Sequence, residues 1–155
     1  MAIAFKGSTA GEVVVATVSG TSLSFGSLTE FVSSTNSHQV IFDSSNNKIV
    51  LVYRDNSNSS YGTARVGTID WSDNSISFGT AVVFNSGSSK EVTGTFDSNA
   101  NKIVAFYRDQ GDSHKGKAIV GTVSGTSISF GSEVEYVSQL QADMYTSCTF
   151  DSTNN

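Results

Sequence analysis

Proline is missing from this 155-residue chain, and cysteine occurs once, as Cys148. One cysteine excludes an intramolecular disulfide and a metal centre built from several cysteine thiolates. Histidine occurs only at His38 and His114, and neither has a potential metal ligand two or four positions further along. We therefore expect both histidines to be polar surface residues, and we expect no metal ion and no other cofactor.

Charged residues are also sparse and make up 15% of the chain. The 9 basic and 14 acidic residues give a net charge of −5, which argues against nucleic acid as a partner because phosphate contacts need a basic surface. No apolar stretch approaches the length of a membrane span, so we expect no membrane insertion. The first residues lack the basic start and long apolar segment of a secretory signal, and the compartment stays open.

An internal repeat is the most informative feature of the sequence. The segment FDSSNNKIVLVYRD, Phe42–Asp55, returns almost unchanged as FDSNANKIVAFYRD, Phe96–Asp109, and FDSTNN begins at Phe150. The tripeptide Ser-Phe-Gly occurs once per copy, starting at residues 24, 77 and 129. We divide the chain into copies spanning residues 1–47, 48–101 and 102–155, which form one repeat domain. A period of about 50 residues is typical of propeller blades and excludes the shorter solenoid repeats.

The residue pattern predicts an all-β fold. The apolar runs are short, rich in Val, Ile and Phe, and bounded by Asn, Asp, Gly or Ser, and no segment has helical periodicity. In the third copy we predict strands at Val92–Phe96, Lys102–Arg108, Lys117–Val123 and Ser127–Val137. The second strand of the second copy is apolar at every position from Ile49 to Val52, which indicates burial on both faces. A propeller provides such burial by placing each four-stranded blade between two others; a two-sheet sandwich is the alternative.

The FDS-x-x-N-Lys-Ile-Val unit resembles the strand-turn-strand unit of β-propeller repeats, of the NHL type and of other bacterial or phage-borne propellers. The resemblance extends over the whole chain. The turn is also similar to the Asp box of sialidases, but that box has a glycine and an aromatic residue after its aspartate, where this chain has Asn47, Lys48 and Ile49. The resemblance therefore implies a β-propeller fold and no particular activity.

The repeat also predicts how a ring would close. The chain starts with the second strand of one copy, Ala2–Phe5, and stops after the first strand of another, at Phe150–Ser152. Propellers close with about four to eight blades, so three blades do not form a ring. We expect a homodimer in which the last strand of each chain completes the first blade of the other, giving a six-bladed ring. The alternative is that the chain is a fragment of a longer propeller.

No catalytic constellation stands out in the sequence. Serine and aspartate are too abundant to single out a triad, and no nucleophile elbow is present. Nothing marks the glutamates Glu91, Glu133 and Glu135 as a glycosidase pair. Arg54 and Arg108 are repeat equivalents, which a propeller would spread around its ring rather than bring together. We therefore predict that the chain is not an enzyme.

The distinctive polar unit is Tyr-Arg-Asp, which ends the second strand of the second and third copies. In a propeller the loops after this strand and the linkers between blades emerge on one face, where aromatic rings beside Asn, Asp and Arg suit a sugar. The candidate ligand-binding residues are Tyr53, Arg54, Asp55, Tyr61, Tyr107, Arg108, Asp109, His114 and Tyr145. The same face would also carry Asn36, His38, Asn85, Lys90, Asp112, Lys115, Gln141 and Asp143.

The leading hypothesis is a non-catalytic, lectin-like module that binds carbohydrate on this face. The alternative is a structural or protein-interaction propeller within a larger fibre or surface protein, in which Arg54 and Arg108 tie blades together. The first copy has Lys6, Gly7 and Ser8 in place of Tyr-Arg-Asp, so one blade manages without the unit. A sialidase-like, glycan-cleaving enzyme ranks last. The expected partners are a second copy of the chain and glycans.

Overall fold

The computed structural model describes residues 1–141 and 146–153. Every regular element in this part of the chain is a β-strand, which confirms the all-β prediction. The strands are β1 (Ala2–Lys6), β2 (Gly11–Ser19), β3 (Ser22–Phe25), β4 (Thr29–Val32), β5 (His38–Asp43), β6 (Lys48–Asp55), β7 (Tyr61–Asp70), β8 (Ser75–Phe78), β9 (Val82–Asp97), β10 (Lys102–Asp109), β11 (Lys115–Ser124), β12 (Ser127–Phe130) and β13 (Val134–Val137). The described residues contain no helix that is long enough and apolar enough to cross a membrane.

The same antiparallel pairing occurs three times along the chain. Unit 1 (residues 2–32) contains β1 to β4, unit 2 (residues 38–88) contains β5 to β8 and the start of β9, and unit 3 (residues 89–137) contains the rest of β9 and β10 to β13. The register is also shared, since Gly11 pairs with Val32, Gly62 with Asn85 and Gly116 with Val137. In each unit a long strand, β2, β7 or β11, therefore lies between an earlier strand and a final strand in two parts.

Strand β9 belongs to two units at once. Its residues 82–88 pair with β7 and its residues 89–97 pair with β10. As a result, units 2 and 3 form a nine-stranded sheet, whereas unit 1 forms a separate four-stranded sheet. A linker was expected here, but the strand continues and changes partner between Ser88 and Ser89. Glu91, two residues further on, lies at an irregularity in the pairing with β10 and has a left-handed backbone with φ of 48°.

The final strand of each unit is bent rather than continuous. The single strand predicted at Ser127–Val137 is divided into β12 and β13, although the other three predicted strands lie within β9, β10 and β11. The division occurs because the Gly131 amide donates to the Val120 carbonyl and the chain then shifts register. The equivalent bonds in the other units run from Gly26 to Val15 and from Gly79 to Val66. Each Ser-Phe-Gly tripeptide thus marks a bend.

Strand β6 lies between two hydrophobic cores. Val50 and Val52 belong to a core shared with unit 3, while Leu51 and Tyr53 belong to a core shared with unit 1. All four side chains are buried, as the uninterrupted apolar run predicts. Complete burial of one such aliphatic side chain contributes about 1.5–3 kcal/mol. The three units therefore pack face to face in chain order.

The Phe-Asp-Ser motif owes its recurrence to the turn that follows it. Asp43 Oδ1 accepts hydrogen bonds from the amides of Ser45 and Asn46, both at 3.0 Å. Asp97 Oδ1 accepts the equivalent bonds from Asn99 and Ala100. A side chain that caps the turn in this way favours the tight reversal between the first and second strands.

Glycine at the Ser-Phe-Gly bends allows one unit to touch the next. A Cβ atom on Gly26 would overlap the backbone carbonyl of Asn74 in unit 2, and one on Gly79 would overlap that of Thr126 in unit 3. Backbone atoms cannot rotate away as a side chain can. Only glycine therefore fits between packed units at these two positions.

We predict that Gly79→Ala lowers the free energy of unfolding by about 2 kcal/mol, because the added methyl group forces units 2 and 3 apart. The measurement is urea denaturation followed by circular dichroism. Thr80, the exposed neighbour of Gly79, provides the control. Thr80→Ala is expected to change the free energy of unfolding by less than about 0.5 kcal/mol. Equal stability of the Gly79→Ala variant and the parent chain would contradict this packing.

Candidate functional site

The tyrosines of the two Tyr-Arg-Asp units are core residues. Tyr53 packs edge-on against Phe31 with ring centroids 5.3 Å apart, and Tyr107 packs against Phe84 at 5.2 Å. Both side chains are at most 1% exposed. Burial raises the pKa of both hydroxyls, and the bond from Tyr107 to Glu133 raises that of Tyr107 further. The packing of neighbouring units therefore covers both of these rings.

The aspartates of the two Tyr-Arg-Asp tripeptides, Asp55 and Asp109, shape the turns that follow them. Asp55 Oδ1 accepts hydrogen bonds from the amides of Ser57 and Asn58. Asp109 is buried; its Oδ1 accepts from the Gly111 amide at 2.9 Å and its Oδ2 from Lys117 Nζ at 3.1 Å. Oδ1 of Asp55 and both carboxylate oxygens of Asp109 are therefore engaged within the protein.

The two arginines occupy equivalent positions but differ in their partners. Arg108 is 2% exposed and donates from Nε to Glu91 Oε2 at 2.7 Å. Arg54 donates from one terminal nitrogen to Ser60 Oγ at 2.9 Å, but its Nε is buried without a hydrogen-bond partner. The difference arises because Ser37, which has no carboxylate, stands in unit 2 where Glu91 stands in unit 3.

Arg54 lines a polar cavity of about 410 Å³. The cavity lies where the segment leading into β5 meets the middle of β9, so it is formed at the junction between units 2 and 3. Its lining consists of Asn36, Ser37, His38, Gln39, Arg54, Lys90, Glu91, Val92, Thr93 and Thr146. Nearly all of these side chains can donate or accept hydrogen bonds.

The cavity has a positive character in a chain whose net charge is −5. Arg54 and Lys90 contribute positive charges, whereas the carboxylate of Glu91 is paired with Arg108. Burial lowers the pKa of Arg54; Glu91 opposes this effect and nearby Arg108 adds to it. Burial also lowers the pKa of His38, against a bond to the Ala4 backbone that raises it, so this imidazole is neutral at pH 7.

Hydrogen bonds that join Ser37 and Thr146 to the middle of β9 hold the wall of the cavity in place. The Val92 amide donates to Ser37 Oγ at 2.7 Å, and Thr146 Oγ1 donates to the Glu91 carbonyl at 2.8 Å. Glu91 is also the residue with φ of 48°, a backbone conformation that is uncommon for a residue other than glycine. The unusual backbone at Glu91 is thus fixed by contacts on both sides, with its carboxylate directed to Arg108.

The remaining predicted residues lie away from the cavity or outside the described part. Tyr61 is half-buried at the start of β7 and does not line it. His114 is exposed and borders a second cavity of about 260 Å³ that also contacts Lys90 and Arg108. Tyr145 lies outside the described residues. Of the predicted site residues in the described ranges, Arg54 alone lines the larger cavity.

Sequence reasoning placed His38, Lys90 and Asn36 on this face but missed Gln39, Glu91 and Thr146. A signal for Glu91 was available in the repeat. Five residues before the phenylalanine of the Phe-Asp-Ser motif, one copy carries Ser37 and the other Glu91, while the arginine that follows each motif is unchanged. A charge that appears beside an opposite charge in one copy indicates a difference in pairing.

Comparisons of the chain with protein-family models, with curated proteins and with solved structures gave no match. Among residues 1–141 and 146–153 there is also no group of three His, Cys, Asp or Glu side chains placed to hold a metal ion. The function must therefore be inferred from the geometry of the cavity itself.

We predict that Glu91→Ala lowers the free energy of unfolding by about 3 kcal/mol, because it leaves the Arg108 guanidinium buried without a counter-charge. Chemical denaturation gives the measurement. Glu135→Ala removes an exposed glutamate and serves as the control, with an expected change below about 0.5 kcal/mol. If the two variants are equally stable, Arg108 does not depend on Glu91.

We predict that stability falls as the pH rises above about 10, where tyrosine ordinarily ionises. The folded state raises the pKa of Tyr53 and Tyr107 and so retains protons that the unfolded chain releases, which favours unfolding at alkaline pH and has no effect below that range. Phenolate absorbance should therefore rise in two phases, the second coinciding with unfolding. In the double variant Tyr53→Phe/Tyr107→Phe the second phase should disappear; a single phase in the parent chain would refute this prediction.

Proposed function

We propose that this chain is a non-catalytic carbohydrate-binding module whose site is the polar cavity at Arg54. The observation that carries the proposal is a pair of buried atoms without hydrogen-bond partners, Arg54 Nε and His38 Nδ1, on two residues that line the cavity. Leaving a buried polar atom unpaired costs about 1–3 kcal/mol. A ligand that bonds to both atoms would recover that cost.

The lining suits a ligand rich in hydroxyl groups. A sugar hydroxyl both donates and accepts, and the cavity offers donors on Arg54 and Lys90 with mixed groups on Asn36, Gln39 and Thr146. A volume of about 410 Å³ lies within the range of small-molecule sites, about 300–1,000 Å³. Because the tyrosines are buried, recognition would rest on hydrogen bonds rather than on stacking against an aromatic ring.

The charge of the cavity favours acidic sugars over neutral ones. Glu91 is already paired with Arg108, so the charges of Arg54 and Lys90 are the ones left for a ligand. A guanidinium presents parallel N–H donors that match a carboxylate in a bidentate arrangement. We therefore expect saccharides that carry a carboxylate to bind more tightly than their neutral counterparts.

The lining also supports binding without cleavage. Glycoside hydrolysis ordinarily requires two carboxyl groups on either side of the scissile bond. Glu91 is the one acidic residue among the described lining residues, and it is held by Arg108. A second carboxylate facing the ligand is not present among the described lining residues, so the cavity lacks the usual acid–base pair.

The finer fold that we propose is a β-propeller whose blades are the units. Its support is the recurrence of one register and of one packing arrangement between successive units. The Asn74 backbone of unit 2 lies against Gly26 of unit 1, and the Thr126 backbone of unit 3 lies against Gly79 of unit 2 in the same way. Identical sheets that repeat one rotation about an axis form a ring rather than a two-layer sandwich.

A structural or protein-interaction role is the second candidate, and unit 3 offers an observation in its favour. Lys117 is buried and forms ion pairs with Asp109, Asp112 and Glu133. These ion pairs and the pair between Arg108 and Glu91 connect neighbouring strands within unit 3. In unit 3, therefore, the Tyr-Arg-Asp residues have a role in holding the fold, and a ligand is not needed to explain them.

The test is a glycan array containing acidic and neutral saccharides, followed by calorimetry with any glycan that binds. Arg54→Met should weaken binding at least about tenfold, because a hydrogen bond from a charged group is lost. Lys102→Met removes one positive charge at the start of β10, on a residue that does not line the cavity, and should leave affinity unchanged. Silence across the array would overturn the carbohydrate proposal and leave the structural role.

A further inference from the structure

The outer face of unit 3 exposes an apolar position that is buried in the other two units. Val120 in β11 is 45% exposed, although Val15 and Val66, its equivalents by strand register, are fully buried. Val15 and Val66 belong to the cores between units 1 and 2 and between units 2 and 3. Val120 therefore occupies a position that is covered whenever another unit packs on this side.

The exposed face of unit 1 shows the complementary pattern. Ile3 is 37% exposed and Leu23 is 52% exposed, whereas Leu51 and Ile76, their equivalents in unit 2, are 0% and 6% exposed. Unit 1 covers these equivalents in unit 2. The two outer faces of the chain are thus the two halves of an interface that occurs twice within it.

The backbone has a matching pair of unpaired elements. Strand β1 pairs with β2 alone, whereas its equivalents β6 and β10 are paired on both sides. The segment 146–150 is the repeat equivalent of residues 38–42 of β5, and no strand partner is assigned to it among the described residues. Thr146, Cys148 and Phe150 are partly buried while Ser147 and Thr149 are exposed, which is the alternation of a strand.

We infer that a second copy of this chain covers both exposed faces. The segment 146–152 of each chain pairs with β1 of the other, and unit 3 of each packs on unit 1 of the other, which gives a closed two-fold dimer. The register follows from unit 2, where Val40 pairs with Leu51 and Phe42 with Ile49. The same register places Cys148 opposite Ile3 of the second copy.

Two features beside these surfaces provide space for the second copy. An apolar groove of about 440 Å³ lies along β1, lined by Met1, Phe42 and Trp71 among others. Phe42 is 54% exposed there, although its equivalent Phe96 packs against the core. The bend at Gly131 is also open, since an added Cβ would meet only the Val120 carbonyl, at 3.9 Å.

Thr146 and Cys148, in the segment proposed to pair with the second copy, contact β9 of their own chain. Thr146 bonds to the Glu91 carbonyl, and Cys148 Sγ lies 3.8 Å from Thr93 Oγ1. One face of the segment therefore rests on unit 3, and its backbone edge remains for β1 of the partner. The inference stands independently of the carbohydrate proposal, since no ligand contributes to these surfaces.

Cysteine cross-linking tests the register. Directly opposed residues of antiparallel strands have Cα atoms about 4.5–5.5 Å apart, within the span of a disulfide. Under mild oxidation Ile3→Cys should form a covalent dimer with the native Cys148 in most of the protein. The side chain of residue 4 points to the opposite face, so Ala4→Cys should give at least about tenfold less covalent dimer. The double variant Ile3→Cys/Cys148→Ser should give no covalent dimer.

Sedimentation tests the packing of the faces. The 155-residue chain should sediment at twice its mass of 16.3 kDa, and Val120→Glu should convert it to a monomer because it places a charge in the interface. Val83→Glu is the matched control and should remain a dimer, since the equivalent positions hold Glu30 and Glu135. Circular dichroism shows that both variants fold.

The outcomes separate clearly. A dimer that cross-links through Ile3→Cys and dissociates in Val120→Glu supports the inference. A monomeric parent chain at micromolar concentration overturns it, as does a dimer that cross-links equally well through Ala4→Cys. A series of trimers and larger species overturns the closed pair, because it shows open head-to-tail assembly. All of these measurements are made without added glycan, so the result of the glycan array does not decide them.

Discussion

The structure depends on one constraint: a sheet that is apolar on both faces needs a neighbour on each side. In β6 the side chains of Val50 and Leu51 point to opposite faces and are both fully buried. A solvated sheet would have a polar residue at every second position. Unit 2 is accordingly covered by unit 1 on one face and by unit 3 on the other, whereas units 1 and 3 each keep one exposed face. The face-to-face packing, the glycine bends and the exposed outer faces all follow from this requirement.

The same constraint explains where the candidate site lies. Strands long enough to cross the core carry the tyrosine of each Tyr-Arg-Asp unit into it, and the aspartate is used to reverse the chain. The arginine between them reaches the end of the sheet, where two units meet without a further strand to fill the gap. A cavity at that junction is lined by the segments that connect units, and these segments vary more between copies than the strands do.

Much of this was predictable from the repeat. The strands, the aspartate-capped turns and the double burial of Ile49 to Val52 depend on residues close together in sequence, and the recurring FDS-x-x-N-Lys-Ile-Val segment encodes them locally. The burial of Tyr53 was not predictable in this way, because it depends on Phe31 in a different unit. The unequal roles of Arg54 and Arg108 were harder to predict, since the two arginines have the same immediate neighbours along the chain and the difference depends on Glu91, 17 residues from Arg108.

The candidate site and the proposed dimer interface share one segment. Thr146 lines the polar cavity and bonds to the Glu91 carbonyl, while Cys148, two residues on, lies opposite β1 of the second copy in the register inferred from unit 2. Pairing with a partner strand would restrict the backbone of residues 146–152 and with it the wall of the cavity. A site whose wall is fixed beforehand loses less conformational entropy when a ligand binds. Closure of the dimer would therefore strengthen binding at the cavity, and by thermodynamic reciprocity a bound ligand would strengthen the dimer.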